Sequence, residues 1–154
     1  MQINVHIEGV DRTISRLDMK RLRKPLKEFF KAAGKEGAGA LASSVPRLTG
    51  KTARAAKSSY AGGARGFWAR AFFRGRGYKT GRSHIAHFLE MGTPPHQIKA
   101  KGAALNTPNG PFRSVQHPGA RPHPFMGEAG ARTDRGIGPL LDRLGAEIAG
   151  LLGR

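Results

Sequence analysis

Histidine is the residue type whose clustering first suggests chemistry in this chain. Five of the six histidines lie within forty residues, at positions 84, 87, 96, 117 and 123. Imidazole is a common metal ligand, and His84 and His87 are spaced to share one face of a helix. The only carboxylate in that stretch is Glu90, and the chain has no cysteine. We therefore expect no functional metal site.

Acid–base or nucleophilic catalysis would require a nucleophile with a base, or two carboxylates, within mutual reach. Glu90 is the one acidic residue between positions 37 and 127, a stretch that contains fourteen basic residues. Surrounding cations stabilise a charged carboxylate, so Glu90 suits an ion pair better than proton transfer. The chain contains no phosphate-binding loop, dinucleotide fingerprint or serine-hydrolase elbow. We expect neither an enzyme nor a cofactor.

The segment 65–82 combines aromatic and basic side chains. Rings that stack on bases, beside cations that follow phosphates, are typical of a single-strand nucleic-acid binder. Apolar side chains are scarce in this chain, so we expect most of the rings between Phe67 and Phe73 to lie in the core. A small basic nucleic-acid-binding protein stays open as the alternative function. The candidate contacts to a partner or to DNA are Arg65, Arg70, Arg74, Arg76, Lys79 and Arg82.

The net charge of +17 arises from 27 Lys and Arg residues against 10 Asp and Glu residues. Such a charge attracts nucleic acid, anionic lipid or acidic protein surfaces, and salt weakens the attraction. Leu, Ile, Val and Phe number only 31, beside 22 Gly and 10 Pro. This composition predicts a modest core with arms that become ordered against partners. No stretch approaches the roughly 20 apolar residues that span a bilayer, so we expect no membrane contact.

The N-terminal third must supply a strand and a long helix. Residues 2–9 alternate polar and apolar side chains, which predicts a half-buried strand. A helical region is predicted over 11–45, with Pro25 best placed in a first turn. Its apolar stripe comprises Leu22, Leu26, Phe29, Phe30 and Ala33.

The remaining two thirds are expected to be β-rich and then helical. Residues 58–117 form the β-rich middle, with flexible loops at 74–83 and 102–111. Prolines make residues 118–124 an extended segment. Glycines weaken the helical pattern after residue 125, so the last helix is predicted over about 139–152, with a proline in its first turn.

These elements predict a single domain of the α+β class over residues 1–154. A small, mostly antiparallel sheet would pack against the long N-terminal helix and the C-terminal helix. Long Gly/Pro-rich loops would connect these elements. The sequence does not fix the order of the strands.

A succession of short motifs between the first strand and the last helix resembles a known family. It is similar to the small neck or tail-completion proteins of long-tailed bacteriophages, the family named after gene product ten of a lambdoid coliphage. In that family a P-x-x-T-G stretch precedes the sheet, an aromatic E-x-G-T block lies mid-chain, and a Pro-Phe step opens the last helix. The matching residues here are Pro46, Thr49, Gly50, Glu90, Gly92, Thr93, His117, Pro118, Gly119, Pro124 and Phe125.

The resemblance implies a structural virion protein, also called a minor tail or head–tail joining protein. It would be assembled in the host cytoplasm and would act at the head–tail junction as one subunit of a homo-oligomeric ring. Its partners would be copies of itself and neighbouring neck and tail proteins such as an adaptor, a stopper or a tail terminator. Genomic DNA in the lumen is a further candidate contact. Residues 62–82 and 102–123 would form the contacting arms.

The motif residues are expected to act as structure. Gly50 and Gly92 would provide backbone freedom at turns, and Glu90 would pair with an Arg of its own chain or of a neighbour. The proline-rich segment would insert Phe125 and Met126 into an apolar pocket and start the last helix.

Overall fold

A computed structural model describes residues 2–5, 19–47, 50–63, 66–75 and 82–152. Its architecture is α+β, with a long N-terminal helix, small antiparallel sheets and a C-terminal helix, which confirms the predicted class. The elements in chain order are β1 (Gln2–Val5), α1 (Met19–Ser44), α2 (Lys51–Arg54), β2 (Ala56–Gly63), β3 (Gly66–Phe73), α3 (Ser83–Met91), β4 (His96–Lys99), β5 (Leu105–Thr107), β6 (Gly110–Phe112), β7 (Ser114–His117) and α4 (Met126–Leu152).

The long helix α1 forms because apolar side chains recur at helical spacing along it. Leu22, Leu26, Phe29 and Phe30 are all buried. Pro25 lies inside this helix and not in a first turn, which corrects the prediction. Leu22 and Leu26, which lie before and after this proline, are buried in the same core cluster. The free energy gained by burying them offsets the loss of the backbone hydrogen bond that proline cannot donate. The predicted strand residues 6–9 and helical residues 11–18 lie outside the described residues.

The first sheet has the strand order β1-β3-β2, with both pairings antiparallel. Because side chains alternate along a strand, β3 buries Ala69, Ala71 and Phe73 on its inner face against α1. Two glycines let α1 approach the sheet closely. A Cβ on Gly34 would lie 3.3 Å from the Cβ of Ser58, and one on Gly37 would lie 3.0 Å from the Cβ of Ala71.

The helix α4 begins thirteen residues earlier than predicted, at Met126 instead of about 139. Pro139 is consequently an interior residue of this helix. The added turns are stabilised by burial of Ala129, Thr133 and Ile137. The Thr133 hydroxyl donates to the carbonyl of Ala129 at 2.7 Å, so it is buried without losing its hydrogen bond. Glycine lowers helix propensity, but tertiary packing prevails over it here.

The core consists of two clusters that α1 connects. One cluster contains Leu41, Val45, Phe73 and Phe125, whereas the other contains the Leu and Phe residues at the start of α1 with Ile137 of α4. Phe73 and Phe125 meet edge to face with ring centroids 5.9 Å apart. This contact joins the sheet to the start of α4.

Within the middle of the chain, where a β-rich stretch is predicted over 58–117, residues 83–91 form the helix α3 between β3 and β4. The predicted loop 102–111 contains the hairpin of β5 and β6, with the turn closed by Thr107, whose hydroxyl donates to the carbonyl of Gly110 at 2.9 Å. Local turn hydrogen bonds of this kind stabilise a hairpin that composition alone does not indicate. Of the predicted loop 74–83, residues 76–81 lie outside the described residues.

Residues 96–117 form a β-structured extension, which we call the arm. Its base is the β4–β7 pair and its tip is the β5–β6 hairpin. All four residues of β4 are exposed, and no described helix or other sheet packs extensively against the arm. None of the described helices is both long and apolar enough to cross a membrane.

Candidate functional site

Metal-ligating side chains do not cluster in the described part of the chain. No set of three or more His, Cys, Asp or Glu side chains there is arranged to hold a metal ion. His96 and His117 do face each other across the base of the arm, with ring centroids 5.0 Å apart. The Nδ1 of His117 accepts the backbone N–H of Gly119 at 3.0 Å, which gives this imidazole a local structural role.

Glu90 caps the helix α4 from 36 residues away in sequence. Its Oε2 accepts the backbone N–H of Phe125 at 2.7 Å and that of Met126 at 3.1 Å. The first N–H groups of a helix lack partners within the helix and carry a partial positive charge, which a carboxylate stabilises. Among the described residues these backbone N–H groups, and no Arg side chain, are the partners of Glu90. Its pairing with an Arg of a neighbouring subunit stays a prediction.

At the base of the arm, the backbone segments 92–93 and 119–120 lie in close contact. Thr93 and Ala120 exchange N–H···O hydrogen bonds of 3.0 Å in both directions. Gly92 and Gly119 flank this bridge with φ values of 70° and 87°, and a Cβ on either glycine would overlap a carbonyl oxygen of the opposite segment. Only glycine satisfies both the backbone angle and the space.

The structure thus gathers most of the motif residues at one junction between arm and body. Glu90, Gly92 and Thr93 lead into it, whereas His117 and the segment from Pro118 through Gly119 to Pro124 lead out of it. Phe125 then enters the core, where its side chain is 2% exposed. Pro46 and Gly50 lie elsewhere, in the connection between α1 and α2, where Gly50 has a φ of 67°. Thr49 lies outside the described residues.

The outer face of the first sheet carries an exposed aromatic–arginine stack. The guanidinium carbon of Arg70 lies 5.3 Å from the ring centroid of Trp68 and 5.2 Å from that of Phe72. Its Nε donates to the Ser59 hydroxyl on β2 at 2.8 Å. The expectation that most of these rings lie in the core is wrong. On the inner face Phe73 is buried and Phe67 is half-buried, whereas strand alternation places the exposed Trp68 and the half-buried Phe72 on the outer face.

Of the other predicted cations, the two that the structure describes, Arg74 and Arg82, lie outside this stack. Arg74 is exposed, and its backbone N–H donates to the Ala55 carbonyl at 2.7 Å. Arg82 is half-buried at the start of α3, and its N–H donates to the Arg74 carbonyl at 3.1 Å. Arg65, Arg76 and Lys79 lie outside the described residues.

The arm presents apolar and basic side chains together. Ile98 is 38% exposed and Phe112 is 45% exposed, both large fractions for apolar residues. The nearby chain positions Lys99, Lys101 and Arg113 are also exposed, and residues 96–117 include no acidic residue. This combination favours a partner surface that is apolar with an acidic rim.

A groove of about 180 Å³ lies between α1 and α4. The apolar part of its lining comprises Pro25, Phe29, Ala32, Leu140 and Leu144, and its charged part comprises Glu28, Arg143 and Glu147. Sequence reasoning missed this groove because two helix faces far apart in sequence form it together.

The alternation of aromatic residues with Arg70 along β3 is the signal that could have revealed the exposed stack.

Comparison of the chain with protein-family models, with curated proteins and with solved structures gives no match.

Proposed function

We propose that this chain is a structural virion protein of a tailed bacteriophage, a subunit of a ring in the neck that acts in head–tail joining. The order of motifs that resembles the tail-completion family supports the proposal. The observation that carries it is the arm, whose exposed apolar side chains have no covering element among the described residues. Partner contact would remove this apolar surface from water, which is favourable.

The chain carries two surfaces that complement each other. The arm offers Phe112 and basic side chains. The groove between α1 and α4 has an apolar floor, and in its charged lining the two carboxylates of Glu28 and Glu147 outnumber the one guanidinium of Arg143. Among the described residues, the ion pair of Glu28 is a long, exposed one with Lys31 at 3.8 Å, which a neighbouring cation can replace at little cost. A cavity of roughly 150 Å³ holds a benzene ring, so the groove is large enough for the ring of Phe112.

Contact between the arm of one copy and the groove of the next would be a head-to-tail contact. Such a contact uses two different surfaces. It produces a closed ring when the rotation that relates one copy to the next is a whole-number fraction of 360°. The mechanism is assembly: each subunit would hold its neighbour, and the completed ring would bind adjacent neck and tail proteins.

The test is the size and location of the assembled protein. Purified full-length chain is expected to form rings in electron micrographs, and gold label on its C-terminus should mark the head–tail junction of phage particles. Phe112→Ser should abolish the rings. The matched control is Leu141→Ser, because Leu141 is 39% exposed on α4 and lies outside the arm.

Two results would contradict the proposal. One is a strictly monomeric protein that also leaves no label on finished particles. The other is an equal loss of rings in the Phe112 and Leu141 variants, since that would show no special role of the arm.

A further inference from the structure

We propose that the outer face of the first sheet binds single-stranded nucleic acid, with bases stacking on Trp68 and Phe72 and a phosphate binding Arg70. This binding site goes beyond the ring function and does not depend on it. We call the surface formed by Trp68, Arg70, Phe72, Ser59 and Lys57 the stacking face.

The stacking face holds its arginine in a fixed orientation. The rings of Trp68 and Phe72 lie on either side of the Arg70 guanidinium at 5.3 and 5.2 Å, and Ser59 accepts its Nε–H. The terminal amino groups of Arg70 have no carboxylate partner among the described residues. A guanidinium held in this way presents free, oriented donors to a phosphate at a low cost in side-chain entropy.

The electrostatic surroundings of the stacking face favour an anion. The strands β2 and β3 contain no acidic residue, and the exposed Lys57 lies directly opposite Phe72 in the strand register. The acidic side chains in the described part of the chain belong to α1, α3 and α4. On the described strands of the sheet, a phosphate backbone would therefore meet basic side chains and no acidic one.

The aromatic surface of the exposed Trp68 and the half-buried Phe72 favours a nucleic acid over an acidic peptide. Trp68 is 44% exposed, and its cross-strand partner on β2 is the small Ala61. A carboxylate-bearing partner would use Arg70 and Lys57 but would gain little from flat aromatic surface. Unpaired bases gain from both, because every base has a flat face that stacks on an aromatic ring. Bases in a duplex already stack on each other, so we expect duplex to bind more weakly.

The chain supplies its own reporter for this site. Trp68 is the only tryptophan, so its fluorescence reports directly on the stacking face. Titration of the full chain with a 16-nucleotide oligo-dT is expected to quench this fluorescence, with an affinity that falls as salt is raised. Blunt duplex of equal length, inorganic polyphosphate and polyglutamate serve as the comparison ligands.

Two variants distinguish binding at the stacking face from binding that depends only on the positive charge of the chain. Arg70→Gln should weaken binding of fluorescein-labelled oligo-dT about tenfold, measured by anisotropy, because both a phosphate contact and the ring alignment are lost. Arg135→Gln removes the same charge from an exposed position on α4 and should change affinity by less than about twofold. Circular dichroism melts confirm that both variants are folded.

The proposal is supported if oligo-dT quenches Trp68 more strongly than the three comparison ligands and if Arg70→Gln alone loses affinity. Equal quenching by polyphosphate or polyglutamate would overturn it in favour of a general anion surface. Tighter binding of duplex than of oligo-dT would overturn it as well, and so would equal losses in the Arg70 and Arg135 variants. The ring assay is independent of all these outcomes.

Discussion

At the scale of single residues, Glu90 is the most informative side chain. Its carboxylate joins the end of α3 to the start of α4 through two backbone N–H groups. A charged acceptor at a helix N-terminus stabilises a protein more than an exposed ion pair does. The residue therefore acts as a connector between elements, although its sequence surroundings suggest a partner of opposite charge.

Replacement of Glu90 by Ala is expected to lower the free energy of unfolding by about 1–2 kcal/mol, because the N–H groups of Phe125 and Met126 lose their acceptor. Urea denaturation measures this loss. Glu128→Ala is the matched control: Glu128 lies in the first turn of the same helix, but its partner is the exposed Arg132, and the expected loss is below about 0.5 kcal/mol. Equal losses in the two variants would contradict the capping role.

Two glycines with opposite roles give a second prediction at this scale. Gly119→Ala should destabilise the base of the arm by about 1–3 kcal/mol, because its φ is 87° and the new Cβ would overlap the Thr93 carbonyl. Gly130→Ala, inside α4 with open space around it, should stabilise the protein by roughly 0.5–1 kcal/mol. Amide hydrogen exchange in β4 and β7 should accelerate only in the first variant.

At the scale of elements, the close contact between α1 and the first sheet depends on small residues. A Cβ on Gly37 would lie 3.0 Å from that of Ala71, so Gly37→Val should force the helix away from the sheet. We expect a loss of about 2–3 kcal/mol in urea denaturation. Gly39→Ala, on the exposed side of α1 with nothing within 4 Å, should instead raise stability by up to about 1 kcal/mol. A stable Gly37→Val variant would contradict the close packing.

The sequence predicts elements that are stabilised by neighbouring residues. It misses elements that are stabilised by residues far away along the chain. The spacing of Leu22, Leu26 and Phe29 is enough to predict α1, because an amphipathic stripe is a property of neighbouring residues. The start of α4 at Met126 could not be predicted, since its capping group is Glu90 and its added turns are stabilised by packing against α1. Distant contacts of this kind prevail over the low helix propensity of glycine.

The same distinction applies to the candidate site. The aromatic and basic composition of residues 65–82 indicates a contact surface, and Arg70 was among the candidates. Which rings are exposed follows from the register of β3 against β2, a pairing between residues that composition does not specify. The groove between α1 and α4 could not be predicted either, because it exists only after two distant helices have packed.

At the scale of the whole molecule, the absence of cysteine allows the arm–groove contact to be tested directly. Asn109→Cys at the tip of the arm and Ala32→Cys in the groove, made in separate chains and mixed, should form a disulfide-linked heterodimer under mild oxidation. The control pairs the Asn109 variant with Ala131→Cys on an exposed part of α4, and it should give little product. Equal yields of the two heterodimers would contradict the contact. If the Ala32→Cys thiol of the monomer did not react with thiol reagents, the chain's own residues would occupy the groove.

The narrow base of the arm has a thermal consequence. The arm is joined to the body through the backbone bridge of Thr93 and Ala120, whereas the body is stabilised by two buried clusters. Segments with exposed hydrogen bonds and few apolar contacts open at lower free energy than the core does. Warming should therefore unfold the arm before the body, so that the proposed contact between arm and groove would be lost several degrees below the temperature at which the body unfolds.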